Sequence, residues 1–240
     1  FCDNNQLTTL PMLPNSLLIL SCSNNQLATL PFLSNNLYKL YCSNNQLTSL
    51  PDLPSGMYNG LQILECNNNS LTNLPDLPIR LSSLYCQNNQ LKSLPTLPID
   101  LGSLNCSNNL LKSLPTLTNL YRLYCQSNQL TSLPILPARL EQLFCYNNQL
   151  TCLPTLPNSL YDLRIDSAKI ICLPNIVASL KVYDNTSTLI PTPPLSPSTL
   201  THAPNTLPTG TYVATQTISS EASLSLGVTN YHASQAITLN

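Results

Sequence analysis

Leucine and cysteine recur along most of the chain at fixed offsets, in a unit that reads L-x-x-L-x-C-x-N-N-Q-L-T-x-L-P-x-L-P-x-x. The cysteines mark its register: Cys2, Cys22, Cys42, Cys66, Cys86, Cys106, Cys125 and Cys145 are spaced by 20 residues, except for one step of 24 and one of 19. Self-similarity at such a period is the signature of a solenoid rather than of a globular core. Inside the unit, the alternation L-x-C predicts a short strand that turns Leu20 and Cys22 inward and Ser21 outward. Equivalent strands of successive units then stack as a parallel sheet.

The second asparagine of each pair recurs as Asn25, Asn45, Asn69, Asn89, Asn109, Asn128 and Asn148, where the chain must leave the strand and turn. A buried amide there can bond backbone groups that the turn has freed and tie one coil to the next. These seven residues are expected to form a structural ladder. The return segment, L-T-x-L-P-x-L-P, is short, and its two prolines oppose a helix while favouring extended or polyproline-II chain. The fold predicted is a β-rich solenoid of about nine coils. It has a parallel concave sheet, a non-helical convex side and a small C-terminal β module.

The unit resembles the leucine-rich repeat family, with cysteine at the third consensus aliphatic position, over about residues 1–185. Its L-P-x-L-P return is similar to the repeats of bacterial effector proteins, and the cysteine-containing form resembles repeats of secreted Bacteroidota proteins. The expected domains are a solenoid over 1–190, a Pro/Thr/Ser-rich linker over 191–211 and an incomplete β-rich module over 212–240. Within the solenoid, 160–190 reads as a degenerate C-terminal cap, because Ile165 replaces the column cysteine and Ala168 the ladder asparagine. Phe1 and Cys2 fall in mid-repeat, so the solenoid is expected to lack N-terminal repeats. The module is inferred from Y-x-A-x-Q-x-I at Tyr212–Ile218, echoed at Tyr231–Ile237. That pair resembles a β-rich module of exported Bacteroidota proteins, which implies a secreted or surface-held parent.

Charge narrows the function classes. Only 8% of the residues are charged and the formal net charge is -1, so no basic face is expected for nucleic acid. No stretch approaches the roughly 18 apolar residues of a membrane span, so no membrane insertion is expected. Of the ten cysteines, eight lie in one inward column whose side chains all point the same way, which suits buried free thiols better than disulfides. No C-x-x-C or Cys/His pair appears, so no metal site or cofactor is expected. Cys152 and Cys172 differ, standing in the outer return where other repeats carry Ser, Thr or Asn; a disulfide between them and two free thiols are both compatible with that placement.

Catalysis finds no footing. The two histidines, His202 and His232, lie outside the repeats, and Asp52 and Asp76 share an outer column without a pocket. Effector proteins with similar repeats can carry a ubiquitin-ligase domain with cysteine in a C-x-D context; no C-x-D occurs here.

The outward strand positions are richer. The position between Leu and Cys runs Phe1, Ser21, Tyr41, Glu65, Tyr85, Asn105, Tyr124, Phe144 and Arg164, an irregular column over a regular core. Candidate ligand-binding residues are Tyr41, Tyr85, Arg122, Tyr124, Phe144, Tyr146, Asp162 and Arg164. Tyr and Arg are enriched at protein-binding hot spots, and aromatics flanked by amides also suit sugars. Tyr equally favours strands for its own sake. The sequence therefore points to non-enzymatic recognition or adhesion, of a protein or a glycan, at a cell surface or in the extracellular space. A structural spacer and the repeat domain of a secreted effector are the alternatives.

Overall fold

A computed structural model of the chain describes residues 1–56, 60–172 and 180–184, together with the backbone of three short strands at Leu189–Ile190, Leu200–His202 and Tyr212–Ala214. Outside the described residues lie the tip of the 54–60 insertion, the segments 173–179 and 185–188 of the expected cap, most of the expected linker and most of the expected C-terminal module.

The repeats wind into a parallel β-solenoid. Strands β1 (Ile19–Ser21), β2 (Lys39–Tyr41), β3 (Ile63–Glu65), β4 (Ser83–Tyr85), β5 (Ser103–Asn105), β6 (Arg122–Tyr124), β7 (Gln142–Phe144), β8 (Asp162–Arg164) and β9 (Lys181–Tyr183) lie side by side in chain order. Each pairs in parallel with the next, one repeat on, so that Leu20 meets Leu40, Leu64, Leu84, Leu104, Leu123, Leu143, Leu163 and Val182 in a single row. Strand β10 (Leu189–Ile190) then pairs antiparallel with β9. Separately, β11 (Leu200–His202) pairs antiparallel with β12 (Tyr212–Ala214).

Each strand from β1 to β9 is three residues long, and each from β1 to β7 ends one residue before the cysteine. The alternation persists past its end: Leu40 and Cys42 are fully buried while Tyr41 is half-buried, and the Cys42 N–H still reaches the Glu65 carbonyl at 2.8 Å. The inward rows of Leu and Cys form one continuous core running from Leu20 to Val182. No helix occurs among the described residues. The return instead ends in a tight turn, in which the Pro14 carbonyl accepts from the Leu17 N–H at 3.0 Å. The same bond recurs at Pro78–Leu81, Pro98–Leu101, Pro137–Leu140 and Pro157–Leu160.

Both asparagines of the pair are used, for different reasons. The second fills its hydrogen-bonding capacity: Asn25 Oδ1 accepts from the Leu7 N–H at 3.0 Å, and its Nδ2 donates to the carbonyls of Cys2, Cys22 and Ser23 at 2.9, 3.1 and 3.2 Å. Each ladder amide thus binds its own turn and the preceding coil, and the pattern repeats through Asn148. The first asparagine is a conformational device that the pattern of inward positions did not reveal. Asn4, Asn24, Asn44, Asn68, Asn88, Asn108 and Asn147, with Ser127 in the same place, all hold φ between 52° and 58°. Asn is the non-glycine residue that tolerates this left-handed region best.

The ladder stops at the last regular coil. With Ala168 in the ladder position, the turn closes on Asp166, whose carbonyl accepts from the Lys169 and Ile170 N–H groups at 2.9 and 3.2 Å. The Lys169 ammonium donates to the Asn148 carbonyl at 3.2 Å, partly replacing the missing amide. On the outer side of this junction Cys152 and Cys172 face each other in an isolated parallel bridge, Cα atoms 4.7 Å apart, with their sulfurs joined in a disulfide. The other eight cysteines are free; seven are buried and Cys2 is half-buried.

Candidate functional site

The concave sheet presents two outward rows per strand, because residues two apart on a strand share a face. One row runs Ile19, Lys39, Ile63, Ser83, Ser103, Arg122, Gln142, Asp162, Lys181, and the other Ser21, Tyr41, Glu65, Tyr85, Asn105, Tyr124, Phe144, Arg164, Tyr183. In-register parallel pairing places each outward side chain beside its counterpart on the next coil, about 4.8 Å away. Neighbouring large side chains therefore stack along the sheet.

Stacking is realised over β6–β9. The Tyr124 and Phe144 rings lie 4.6 Å apart between centroids, tilted by 46°. The Arg164 guanidinium sits 4.2 Å over the other side of Phe144 and 5.4 Å from the centroid of Tyr183. Arg164 Nε is also 3.5 Å from Asp162 Oδ1, which keeps the guanidinium neutralised while it is partly desolvated. The Tyr124 hydroxyl donates to Gln142 Oε1. Burial raises the Tyr124 pKa, against a smaller lowering by Arg122, so the hydroxyl remains a donor at neutral pH. The result is a continuous column, Tyr124–Phe144–Arg164–Tyr183, with polar partners on its flank.

Of the residues expected at the site, Tyr124, Phe144, Arg164 and Asp162 form a chain of contacts in that order. Arg122 is exposed beside them, its guanidinium 5.2 Å from the Tyr121 ring. Gly102 makes room for that ring, since a Cβ there would collide with Tyr121. Tyr146 is half-buried just past the end of β7. Tyr41 and Tyr85 share the column but are separated by Glu65, and Asn105 separates Tyr85 from Tyr124. Burial raises the Glu65 pKa between those two tyrosines. Ser21 occupies the outward row but is buried, and its hydroxyl donates to Asp3 Oδ1 at 2.8 Å. Gln142 and Tyr183 belong to the site although sequence reading did not select them. Tyr183 could have been found by aligning Lys181-Val182-Tyr183 with Asp162-Leu163-Arg164, whereas nothing in the sequence marks Gln142.

No cluster of His, Cys, Asp and Glu suited to a metal ion occurs among the described residues. The column thiols are chemically quiet: desolvation pushes the pKa of Cys22 and Cys106 up to about 12 and that of the other buried members upward as well. A thiol needs to ionise to act as a nucleophile.

No protein-family model matches the sequence, and no curated protein matches it. Solved structures do. YopM from Yersinia enterocolitica is 38% identical over 76% of this chain and 40% of its own, with a TM-score of 0.72. YopM of Yersinia pestis, described as a leucine-rich effector protein, is 35% identical over 76% of this chain and 64% of its own, at a TM-score of 0.59. A Shigella effector leucine-rich-repeat domain is 34% identical over 62% of this chain and 68% of its own, at 0.57. The chain thus spans less than two thirds of the length of both Yersinia proteins.

Proposed function

Since the chain belongs to the leucine-rich-repeat family and is related to the repeat domains of bacterial effectors, we propose that it is a non-enzymatic recognition module that binds another protein through the concave face over β6–β9. One observation carries this reading, namely the pre-formed column Tyr124–Phe144–Arg164–Tyr183. Its members are held by each other before any partner arrives, which reduces the ordering cost of association. Tyr and Arg are also the residues most often dominant at protein interfaces.

The same geometry weighs against a glycan. A sugar packs its C–H face onto an open aromatic face, yet Phe144 has Tyr124 on one side and Arg164 on the other. What the column offers is half-buried aromatic rings and a stacked guanidinium, which suit a protein surface better. The related effectors and the repeat form together support placing the parent protein outside its own bacterium, secreted or held at the cell surface.

The test is a binding screen of the full chain against a panel of extracellular and host proteins and a glycan array, comparing wild type with Tyr124→Ala/Phe144→Ala. We expect a protein partner whose affinity falls at least tenfold in the double variant while far-UV circular dichroism is unchanged. Binding confined to glycans would replace the protein reading; no binding by wild type to either set would favour a structural spacer.

A further inference from the structure

We propose that Cys152 and Cys172 form a reversible thiol–disulfide site through which low-molecular-weight thiols control the order of the coil that carries Asp162 and Arg164. The two residues lie on the outer side of the solenoid, one repeat apart, joined across the junction between the coils of β7 and β8. At every earlier junction from Asn25 onward the inner turn is tied by a ladder amide; at this one Ala168 takes its place. The outer side compensates. Besides the disulfide, the Ile171 N–H donates to the Thr151 carbonyl at 2.8 Å and the Leu153 N–H to the Cys172 carbonyl at 3.3 Å. Beside the Lys169 ammonium on the Asn148 carbonyl, part of the tie between the coils has thus moved from an amide that no reductant touches to a bond that thiols can cleave.

The surroundings confine exchange to this pair. Cys152 is the exposed residue of the pair and so the end of the bond that an attacking thiolate approaches, whereas Cys172 is buried. The seven buried column cysteines are kept protonated by desolvation, so they neither attack the bond nor scramble with it. The chemistry is balanced in two displacements. A thiolate of the reductant attacks Cys152 Sγ, forming a mixed disulfide and releasing Cys172 as a thiolate that takes up a proton. A second reductant thiolate attacks the reductant's own sulfur in the mixed disulfide and displaces Cys152, which is protonated in turn. The protein gains two electrons and two protons, and two molecules of thiol leave as their disulfide.

Reduction removes the constraint on a loop with a sequence separation of 20 residues. Chain-entropy arguments for such a loop correspond to a local opening equilibrium on the order of a hundredfold more favourable. The opening exposes strand β8, and with it the Arg164 side chain that completes the stack on Phe144. The consequence for partner binding rests on the concave-face reading; the change in coil order does not.

The experiment is hydrogen–deuterium exchange by mass spectrometry on the full chain, with and without dithiothreitol, alongside Cys152→Ser/Cys172→Ser and a thiol count in denaturant. Eight free thiols are expected in the oxidised protein and ten after reduction. Peptides spanning 160–172 should exchange about a hundredfold faster after reduction, with β2–β5 unchanged as the internal control. The double variant should match reduced wild type and ignore the reductant. Should that variant fail to fold, the comparison of oxidised with reduced wild type still decides. Ten free thiols before reduction, or unchanged exchange over 160–172 with ten thiols after it, overturns the proposal. Neither result bears on whether the concave face binds a protein, which the Tyr124/Phe144 variant tests separately.

Discussion

Two adjacent asparagines in the middle of the solenoid, Asn108 and Asn109, should respond to substitution for different reasons and to different extents. Asn109 is buried; its Oδ1 accepts from the Leu91 N–H at 2.9 Å and its Nδ2 donates to the carbonyls of Cys86, Cys106 and Ser107, each at 3.1 Å. In Asn109→Ala the Leu91 N–H, at a residue with no exposed surface, has no partner left and three carbonyls lose a donor. An orphaned buried donor costs about 1–3 kcal/mol and weakened acceptors add to it, so a loss of about 3 kcal/mol is expected. Asn109→Asp keeps the acceptor but turns a carboxylate oxygen toward those carbonyls, so it should lose at least as much. Asn108 is exposed and sits at φ 52°, where the demand is conformational. Asn108→Gly should therefore lie within about 0.5 kcal/mol of wild type, and Asn108→Ala should cost about 1 kcal/mol. Guanidinium unfolding followed by far-UV circular dichroism measures all four. Asn109→Ala within 1 kcal/mol of wild type, or Asn108→Gly losing as much as Asn109→Ala, would refute the division of labour.

Two further outcomes follow from the core. Leu104 is fully buried in the central leucine row, so Leu104→Ala should cost about 3–5 kcal/mol in the same assay, and a loss under 1 kcal/mol would mean that the solenoid collapses around the gap. Stability should also fall steeply from about pH 9 upward. The column thiols ionise near 9.0 once unfolded but only well above that when buried, so the unfolded state binds fewer protons in this window and is favoured as pH rises. Each thiol contributes a slope of up to about 1.4 kcal/mol per pH unit until its folded pKa, about 12 for Cys106, is reached. Cys86→Ala should flatten the measured slope by up to one proton, and an unchanged slope would contradict the assignment.

The fold was legible in the sequence because a stacked repeat converts a one-dimensional period directly into a three-dimensional register. Once Leu20 and Leu40 occupy equivalent places, their pairing across β1 and β2 follows, as does the inward turn of Cys22 and Cys42. The two prolines removed the helix from the return for a local reason, so no tertiary information was needed. The first asparagine's left-handed conformation was less legible: an Asn-Asn pair reads as two amides, and only backbone angles separate a residue chosen for its φ from one chosen for its side chain. The site was legible as a column but not as a set of contacts. Column membership follows from spacing, whereas the contact of Arg164 with Phe144 depends on rotamers, and Gln142 enters only through the reach of the Tyr124 hydroxyl.

Placement of the site within the solenoid gives these details a common consequence. The aromatic column begins on β6 and β7, whose coils are tied by ladder amides at Asn128 and Asn148, and continues onto β8, whose coil is tied by the Cys152–Cys172 bond and by Lys169. The Phe144–Arg164 contact therefore straddles the change from one kind of lock to the other. A substitution that loosens the ladder near β2–β5 should lower stability without disturbing the column, because a solenoid transmits order mainly between neighbours. A change at the β7–β8 junction reaches the column directly, since it alters how Arg164 is presented to Phe144. The proposed recognition face and most of the stabilising ladder are then separable along one axis of the molecule, and the junction at which they meet is the one proposed to open to thiols.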